Sequence, residues 1–156
     1  MKLYVKQRFL TLLDNFDIYN DQGQALFHVK GVFGIGHNFE VYNKYNELVG
    51  EIKQKFPAFL YTFEIYKNGR YEGYIKKEFT ILKPSFEIDY KNWRMNGDIF
   101  EWDYEIYQGR EKVAEAHKEL FKLTDTYSID VYDESDAVDV VMLVVAIDAV
   151  KCSQRK

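Results

Sequence analysis

Hydrophobic and polar positions alternate along most of the chain, in short segments that recur at regular intervals. One recurring tetrapeptide has an aromatic residue, a usually acidic residue, a β-branched residue and Tyr or Asp. It reads FDIY at 16, FEVY at 39, FEIY at 63, FEID at 86, YEIY at 104 and YSID at 127. Strict alternation is typical of a strand that buries one face. Each tetrapeptide therefore predicts a β-strand.

A second recurring segment lies between the tetrapeptides and predicts the partner strand of each hairpin. It reads VKQRF at 5, VKGVF at 29, IKQKF at 52, IKKEF at 75 and, more loosely, AHKEL at 116. The intervening NDQGQ, NKYNE, KNGR and QGRE are rich in residues that favour tight turns. Residues 92–103 carry a shorter variant that contains Trp. The pattern predicts about twelve strands in an up-and-down meander.

The most apolar stretch, AVDVVMLVVAIDAV at residues 137–150, predicts a helix with both ends marked. Ser135 or Asp136 can serve as its N-cap, and basic residues follow its end. Apart from Asp139 and Asp148 it is apolar around its whole circumference, so other apolar groups must surround it. It is too short for a membrane span, which needs roughly twenty apolar residues. We expect a core helix that buries Val140, Val141, Leu143, Val144 and Ile147.

A closed sheet can provide that enclosure. A sheet of about twelve strands closes into a barrel whose interior is wider than side chains alone would fill. One helix, about 10 Å across with its side chains, fits such an interior. The sequence therefore predicts a mainly β fold, a closed barrel of about twelve antiparallel strands around a central hydrophobic C-terminal helix. Its 156 residues suit one domain, over residues 1–156.

These segments also resemble a known family. The IKxxF and FEIY repeats, GDIFEWDYEIY and the terminal VVAIDAV resemble the bacterial members of the LURP-one-related family. That family shares the tubby C-terminal fold with phospholipid scramblases, and the resemblance covers essentially the whole chain. It implies a barrel around a central helix. It implies less about function, because a fold does not determine an activity, and we expect a non-enzymatic binding or scaffold module.

Charge and cysteine content narrow the class of partner. The formal net charge of −4 argues against a nucleic-acid-binding protein. Cys152 is the only cysteine, which excludes an intramolecular disulfide and favours a reducing compartment. Lys6 and Arg8 stand where a signal peptide would be apolar. We expect a cytoplasmic protein without an export signal and without a nucleic-acid partner.

The outward lysines are the candidate binding residues. Alternation directs Ile52 and Ile75 inward, and it directs Lys53, Lys55 and Lys76 outward. Tubby proteins of eukaryotes contact phosphoinositides through basic residues, so the resemblance implies an anionic lipid headgroup or a membrane surface as partner. Two alternatives stay open. The lysines can form cross-strand pairs with Glu40, Glu64 and Glu87, or a protein partner can bind through outward Tyr42, Tyr66 and Tyr107.

Some inward positions are unusual. The same alternation directs Phe9, Phe56 and Phe79 inward, but it also directs inward the polar or small residues in the middle of the segment, Gln7, Gly31, Gln54 and Lys77. Burying a lysine is costly. A β-bulge or a position at the barrel mouth would relieve this cost.

No arrangement of residues predicts catalysis or a cofactor. His28, His37 and His117 have no companion at the helical spacings of three or four residues, so we expect no metal site. The glycine-rich GVFGIGHNF precedes a strand, and a phosphate-binding loop would precede a helix. Asp148 opposes the helix dipole and needs a partner, solvent or a raised pKa. We expect a structural hydrogen bond or ion pair there, with a functional acid at the barrel mouth as the alternative.

Overall fold

The computed structural model describes residues 1–6, 15–55, 61–78, 85–99, 101–119 and 126–153, without the side chains of residues 6, 152 and 153. Over these ranges the chain forms twelve strands: β1 Lys2–Lys6, β2 Phe16–Tyr19, β3 Ala25–Val32, β4 Asn38–Asn43, β5 Leu48–Gln54, β6 Thr62–Lys67, β7 Arg70–Glu78, β8 Ser85–Tyr90, β9 Trp93–Asp98, β10 Asp103–Gln108, β11 Glu111–Glu119 and β12 Thr126–Val131. A short 3-10 helix, Glu134–Asp136, and the helix α1, Ala137–Ser153, follow.

The strands form one antiparallel sheet in which almost every strand pairs with its sequence neighbours. The order is β8-β7-β6-β5-β4-β3-β2-β1-β12-β11-β10-β9, so β1 pairs with β12. Within the described residues, no hydrogen-bonded ladder joins β8 to β9. Lys91 and Asn92 connect those two strands with φ of 54° and 55°. The meander and barrel predictions are confirmed, and the barrel is nearly closed, with one seam between β8 and β9.

The two ends of the barrel differ. Because neighbouring strands are antiparallel, every connection from an odd to an even strand lies at one end, here called the loop end, and the other connections lie at the turn end. Repeated turns close the turn end: Asn20 Oδ1 accepts hydrogen bonds from the backbone N–H groups of Gln22 and Gln24. Asn43 Oδ1 does the same for Tyr45 and Glu47. These side chains fix the turns that NDQGQ and NKYNE predict.

A β-bulge recurs at the same place in four repeats. The register shifts between the third and fourth residues of the tetrapeptides, at Ile18/Tyr19, Val41/Tyr42, Ile65/Tyr66 and Ile106/Tyr107. An extra residue on the following strand bends and twists the strand pair locally. Four such bends at regular intervals help to curve the sheet around the helix.

The helix α1 fills the interior. Its residues from Asp139 to Lys151 are all buried, and Val140, Val141, Leu143 and Ile147 have no exposed surface. Val144 is 1% exposed. Among the described residues, no helix is long and apolar enough to cross a membrane. Phe9, Phe56 and Phe79, which alternation directs inward, lie outside the described residues.

A 3-10 helix occupies the residues that were expected to cap α1. Ser135 and Asp136 both lie inside the 3-10 helix, and Asp133 caps that helix by accepting a hydrogen bond from the backbone N–H of Ser135 at 2.9 Å. The 3-10 turn leads directly into α1, so the capping carboxylate stands one turn earlier than the apolar pattern indicates.

Gly50 allows the wall to approach the helix closely. A Cβ atom on Gly50 would lie 2.4 Å from Met142 Cε and 2.9 Å from the carbonyl oxygen of Tyr66. Both distances are too short for a real contact, so the absent side chain at Gly50 makes room for the Met142 side chain.

Replacing Gly50 with Ala should lower the free energy of unfolding by about 1–3 kcal/mol, because the interior has no room for the methyl group. Urea denaturation measures this change. In the Met142→Ala background the same replacement should cost less, since the nearest clash is removed. Simple additivity of the two single changes would contradict this contact.

Candidate functional site

The candidate lysines lie together at the loop end. Lys53 and Lys55 stand at the end of β5, and Lys76 pairs with Thr62 in the register of β7 and β6. The backbone N–H of Lys55 donates to the carbonyl oxygen of Thr62 at 2.8 Å. These strand ends are therefore contiguous, and we call Lys53, Lys55 and Lys76 the lysine rim.

The lysine rim is only partly neutralised. Lys53 Nζ is 3.4 Å from Glu51 Oε2 and 4.8 Å from the ring centroid of Tyr66. Lys55 and Lys76 form no ion pair with any described residue. As predicted, the sheet register places Lys53 opposite Glu64 and Lys76 opposite Glu87, but no ion pair joins either couple among the described residues. The lysine rim therefore combines lysines that form no ion pair with carboxylates on the adjacent strands.

Two of the expected partner acids have other partners. The hydroxyl of Tyr42 donates to Glu40, and the hydroxyl of Tyr74 donates to Glu87 Oε1 at 2.8 Å. Tyr107 donates to Glu105 at 2.6 Å in the same way as Tyr42. In the tetrapeptides of Tyr42 and Tyr107 the acid and the tyrosine are two residues apart, so they share the outer face of one strand. These outward tyrosines are half-buried, and their hydroxyl groups already have acceptors.

A buried ionic network holds the helix at the turn end. Asp139 is 4% exposed and accepts hydrogen bonds from Lys67 Nζ at 2.7 Å, Lys91 Nζ at 2.6 Å and the Tyr90 hydroxyl at 2.6 Å. Burial alone would raise the pKa of Asp139, but these three donors outweigh it and hold that pKa below its ordinary value. Asp139 lies in the first turn of α1. Its partners lie at the ends of β6 and β8 and in the turn after β8, and no local spacing in the sequence connects them to it.

Asp148 lies at the other end of the same helix, in a different environment. It is 6% exposed, and its Oδ2 accepts one hydrogen bond, from the Tyr127 hydroxyl at 2.5 Å. Asp148 Oδ1 and the Tyr104 hydroxyl are buried without a partner among the described residues. Burial raises the pKa of Asp148, against the opposing effects of Lys151, the Tyr127 hydrogen bond and the nearby Trp102 side chain. The carboxyl group is enclosed near the loop end and is not presented to solvent.

Lys151 closes this end of the helix. Its ammonium group donates to the carbonyl oxygen of Ile99 at 2.9 Å and lies over the ring of Trp102. Trp102 in turn stacks on Tyr127, with ring centroids 5.8 Å apart. The helix is therefore tied to the connection between β9 and β10, and Lys151 takes no part in the lysine rim.

One cluster on the outer face could offer ligands to a metal ion. Glu115, His117 and Asp130 each bring one ligand atom within 4.8 Å of the others. His117 and Glu115 are two residues apart on β11, a spacing that shares one face of a strand and that a search for helical spacings misses. Lys112 already donates to Glu115 at 2.8 Å and, with His117, lowers the pKa of Glu115 to about 2. The expectation of no metal site stays a prediction.

His117 also lies near an acid of the neighbouring strand β10. Its Nδ1 is 3.8 Å from Asp103 Oδ1, and the Asp103 side chain is 78% exposed and the His117 side chain 44% exposed. Both side chains are therefore open to water on the outer face of the barrel.

A nearly closed twelve-stranded meander around a buried C-terminal helix defines the tubby-like class of fold, as the resemblance implied. The chain belongs to the LURP-one-related family, whose model matches residues 1–148. It is 25% identical over 151 residues to the uncharacterized protein YxjI of Bacillus subtilis (strain 168), a match that covers 96% of this chain and 93% of that protein.

The fold is also similar to that of a solved plant protein. An Arabidopsis thaliana protein known from an X-ray structure superposes with a TM-score of 0.69 at 21% identity, covering 96% of this chain and 90% of that one. At this identity the similarity shows the fold alone.

Replacing Asp139 with Asn should lower the free energy of unfolding at neutral pH by roughly 2–3 kcal/mol. A fully buried pair would lose more, and here the two lysines are partly solvated. Because the pKa of Asp139 is lowered, its contribution is present above the ordinary value of 3.8 and is lost as pH falls through the lowered folded value. Urea unfolding should show the variant and the wild type converging in acid. Asp136→Asn, 3.9 Å from Lys91, is the control and should have little effect.

Replacing Asp148 with Asn should have the opposite pH dependence. Because the pKa of Asp148 is raised, the wild type loses unfolding free energy as pH rises from the ordinary value of 3.8 through the raised folded value. Asn does not titrate, so the difference in unfolding free energy should move in favour of the variant as pH rises. A difference that stays constant from acid to neutral pH would show that Asp148 has no raised pKa.

Proposed function

We propose that this protein is a non-enzymatic binding module that docks on anionic membrane surfaces through the lysine rim. The observation that carries this proposal is the contiguity of Lys53, Lys55 and Lys76, two of which form no ion pair with a described residue. Each lysine near an anionic surface contributes about 1 kcal/mol of attraction. Three lysines on one rim thus contribute about 3 kcal/mol of reversible, salt-sensitive attraction.

The distribution of charge at the loop end sets the orientation. Lys30 and Lys77 add positive charge on the β3 to β7 side, where Glu40 stands opposite Lys30 in the register. Asp98, Glu101 and Asp103 lie at the same end on the β9 and β10 side. With a net charge of −4, the protein must turn its basic side toward an anionic surface and its acidic side away. Docking would therefore tilt the barrel onto its β3 to β7 flank.

The alternative, a protein-interaction module that uses Tyr42, Tyr66 and Tyr107, has less support. The hydroxyl groups of Tyr42 and Tyr107 are engaged by acids on the same strand. Tyr66 packs edge-on against Tyr71 and beneath Lys53. These rings contribute to the outer wall of the barrel, which leaves less of their surface for a partner. The cytoplasmic location expected from the single cysteine stays a prediction.

Replacing Lys53, Lys55 and Lys76 together with Gln should weaken binding to phosphatidylserine-containing vesicles on the order of 100-fold at low salt, because about 3 kcal/mol of attraction is lost. Co-sedimentation measures the partition coefficient. The matched control replaces Lys44, Arg70 and Arg110 with Gln, which removes the same charge from the turn end.

The control triple variant should bind nearly as well as the wild type, since its charges lie at the far end of the barrel. Equal weakening by both triple variants would show that only net charge matters and would remove the lysine rim as the site. Absence of wild-type binding to these vesicles at low salt would remove the membrane proposal itself.

A further inference from the structure

Two apolar side chains at the loop end are almost fully exposed. Phe33 is 88% exposed and Ile35 is 77% exposed, the highest values among the large hydrophobic residues that the structure describes. Both lie in the connection between β3 and β4, which we call the apolar tip and define as residues 33–36. A single exposed apolar side chain is ordinary, but two at the tip of one loop form a localised apolar projection.

The apolar tip is held beside the lysine rim by its base. The backbone N–H of His37 donates to Gln54 Oε1 at 2.9 Å, and the backbone N–H of Gln54 donates to Asn38 Oδ1 at 3.1 Å. Gln54 stands between Lys53 and Lys55 at the end of β5. The inward position predicted for Gln54 is therefore at the barrel mouth, where its amide fixes the neighbouring loop.

Asn38 fixes the tip itself. Its Nδ2 donates to the carbonyl oxygen of Ile35 at 3.3 Å, and a Cβ on Gly34 would lie 2.9 Å from the same Nδ2. Gly36 has a φ of 84°, which a non-glycine residue rarely adopts. These contacts hold Phe33 and Ile35 in an outward position. Binding through the apolar tip would therefore cost little conformational entropy.

We propose that Phe33 and Ile35 insert into the interfacial region of the bilayer while the lysine rim contacts the anionic headgroups. This inference rests on the membrane docking proposed above and adds a second, apolar contribution to it. The positive charges of Lys53 and Lys55 beside the tip complement an anionic lipid surface. Burying these charges against an apolar patch of a partner protein would cost free energy. A membrane accommodates both, because headgroups and acyl chains lie within one side-chain length of each other.

The sequences that link neighbouring strand ends at the loop end have a matching composition. QRFLTLLD, FPAFL and LFKLTD follow β1, β5 and β11 and are rich in Phe and Leu, whereas NDQGQ, NKYNE and KNGR at the turn end are polar. The structure of these three links lies outside the described residues, and the apolar tip alone defines the insertion site.

Tryptophan fluorescence can test insertion directly. Phe33→Trp should show a blue shift of its emission when vesicles of phosphatidylcholine and phosphatidylserine are added, after subtraction of the wild-type signal. Tyr45→Trp is the matched control, since Tyr45 is 71% exposed at the turn end, and its emission should not change. For the double variant Phe33→Ser, Ile35→Ser, the partition coefficient into the same vesicles should be lower by a factor of about ten or more. Its residual binding should keep the salt dependence that the lysine rim provides.

The outcomes separate the two proposals. If the wild type binds these vesicles and the emission of the Phe33→Trp variant does not shift, insertion is overturned and headgroup binding stands. If the wild type does not bind, the proposed function fails and insertion fails with it. If the double serine variant keeps full partition but loses a dimer seen by size-exclusion chromatography, the apolar tip is an interface between copies, and insertion is overturned. Unchanged thermal melting of the serine variant confirms that its fold is intact.

Discussion

The helix α1 has no polar face, and its burial on every side is the constraint that the rest of the structure satisfies. A single sheet face would leave half of its valines in water, so the wall must curve completely around it. The recurring bulges at Val41/Tyr42 and Ile65/Tyr66 supply that curvature, and Gly50 lets the wall approach Met142. The repeats in the sequence are therefore repeats of one bending unit.

The helix α1 carries one aspartate toward each end, and the two carboxyl groups have pKa values shifted in opposite directions. Asp139 is ionised, because Lys67, Lys91 and Tyr90 converge on it from the turns of the wall. Asp148 has one tyrosine as donor, and its environment favours the neutral form. The first arrangement fixes the helix against the turn end, and the second encloses a carboxyl group near the loop end, where the buried Lys151 ammonium group opposes the rise of its pKa. Their pH linkages have opposite signs and act on opposite sides of pH 3.8, that of Asp139 below it and that of Asp148 above it.

The sequence was sufficient for features that depend on local repetition. FDIY coincides with β2, and the uniformly apolar run from Val140 to Ile147 is the core of α1. Features that depend on distance through space were not accessible. The partners of Asp139 are far from it in sequence and meet it only because the wall surrounds the helix. The exposure of Phe33 depends on the hydrogen bonds by which Gln54 and Asn38 hold the loop between β3 and β4. The proximity of His117 to Glu115 could have been predicted from the sequence, because a strand places residues that are two apart on the same face.

The position of α1 after all twelve strands has a consequence for synthesis. The strands are synthesised in order, so β1 lacks its second neighbour until β12 has been made. Until α1 has been made, the strands also lack the helix against which their inner faces pack. Most pairings between successive hairpins are local, but burial of their apolar faces must await the last element of the fold. Until then each emerging hairpin exposes a row of Ile, Val and Phe. The wall and the helix should therefore fold together, in one cooperative step.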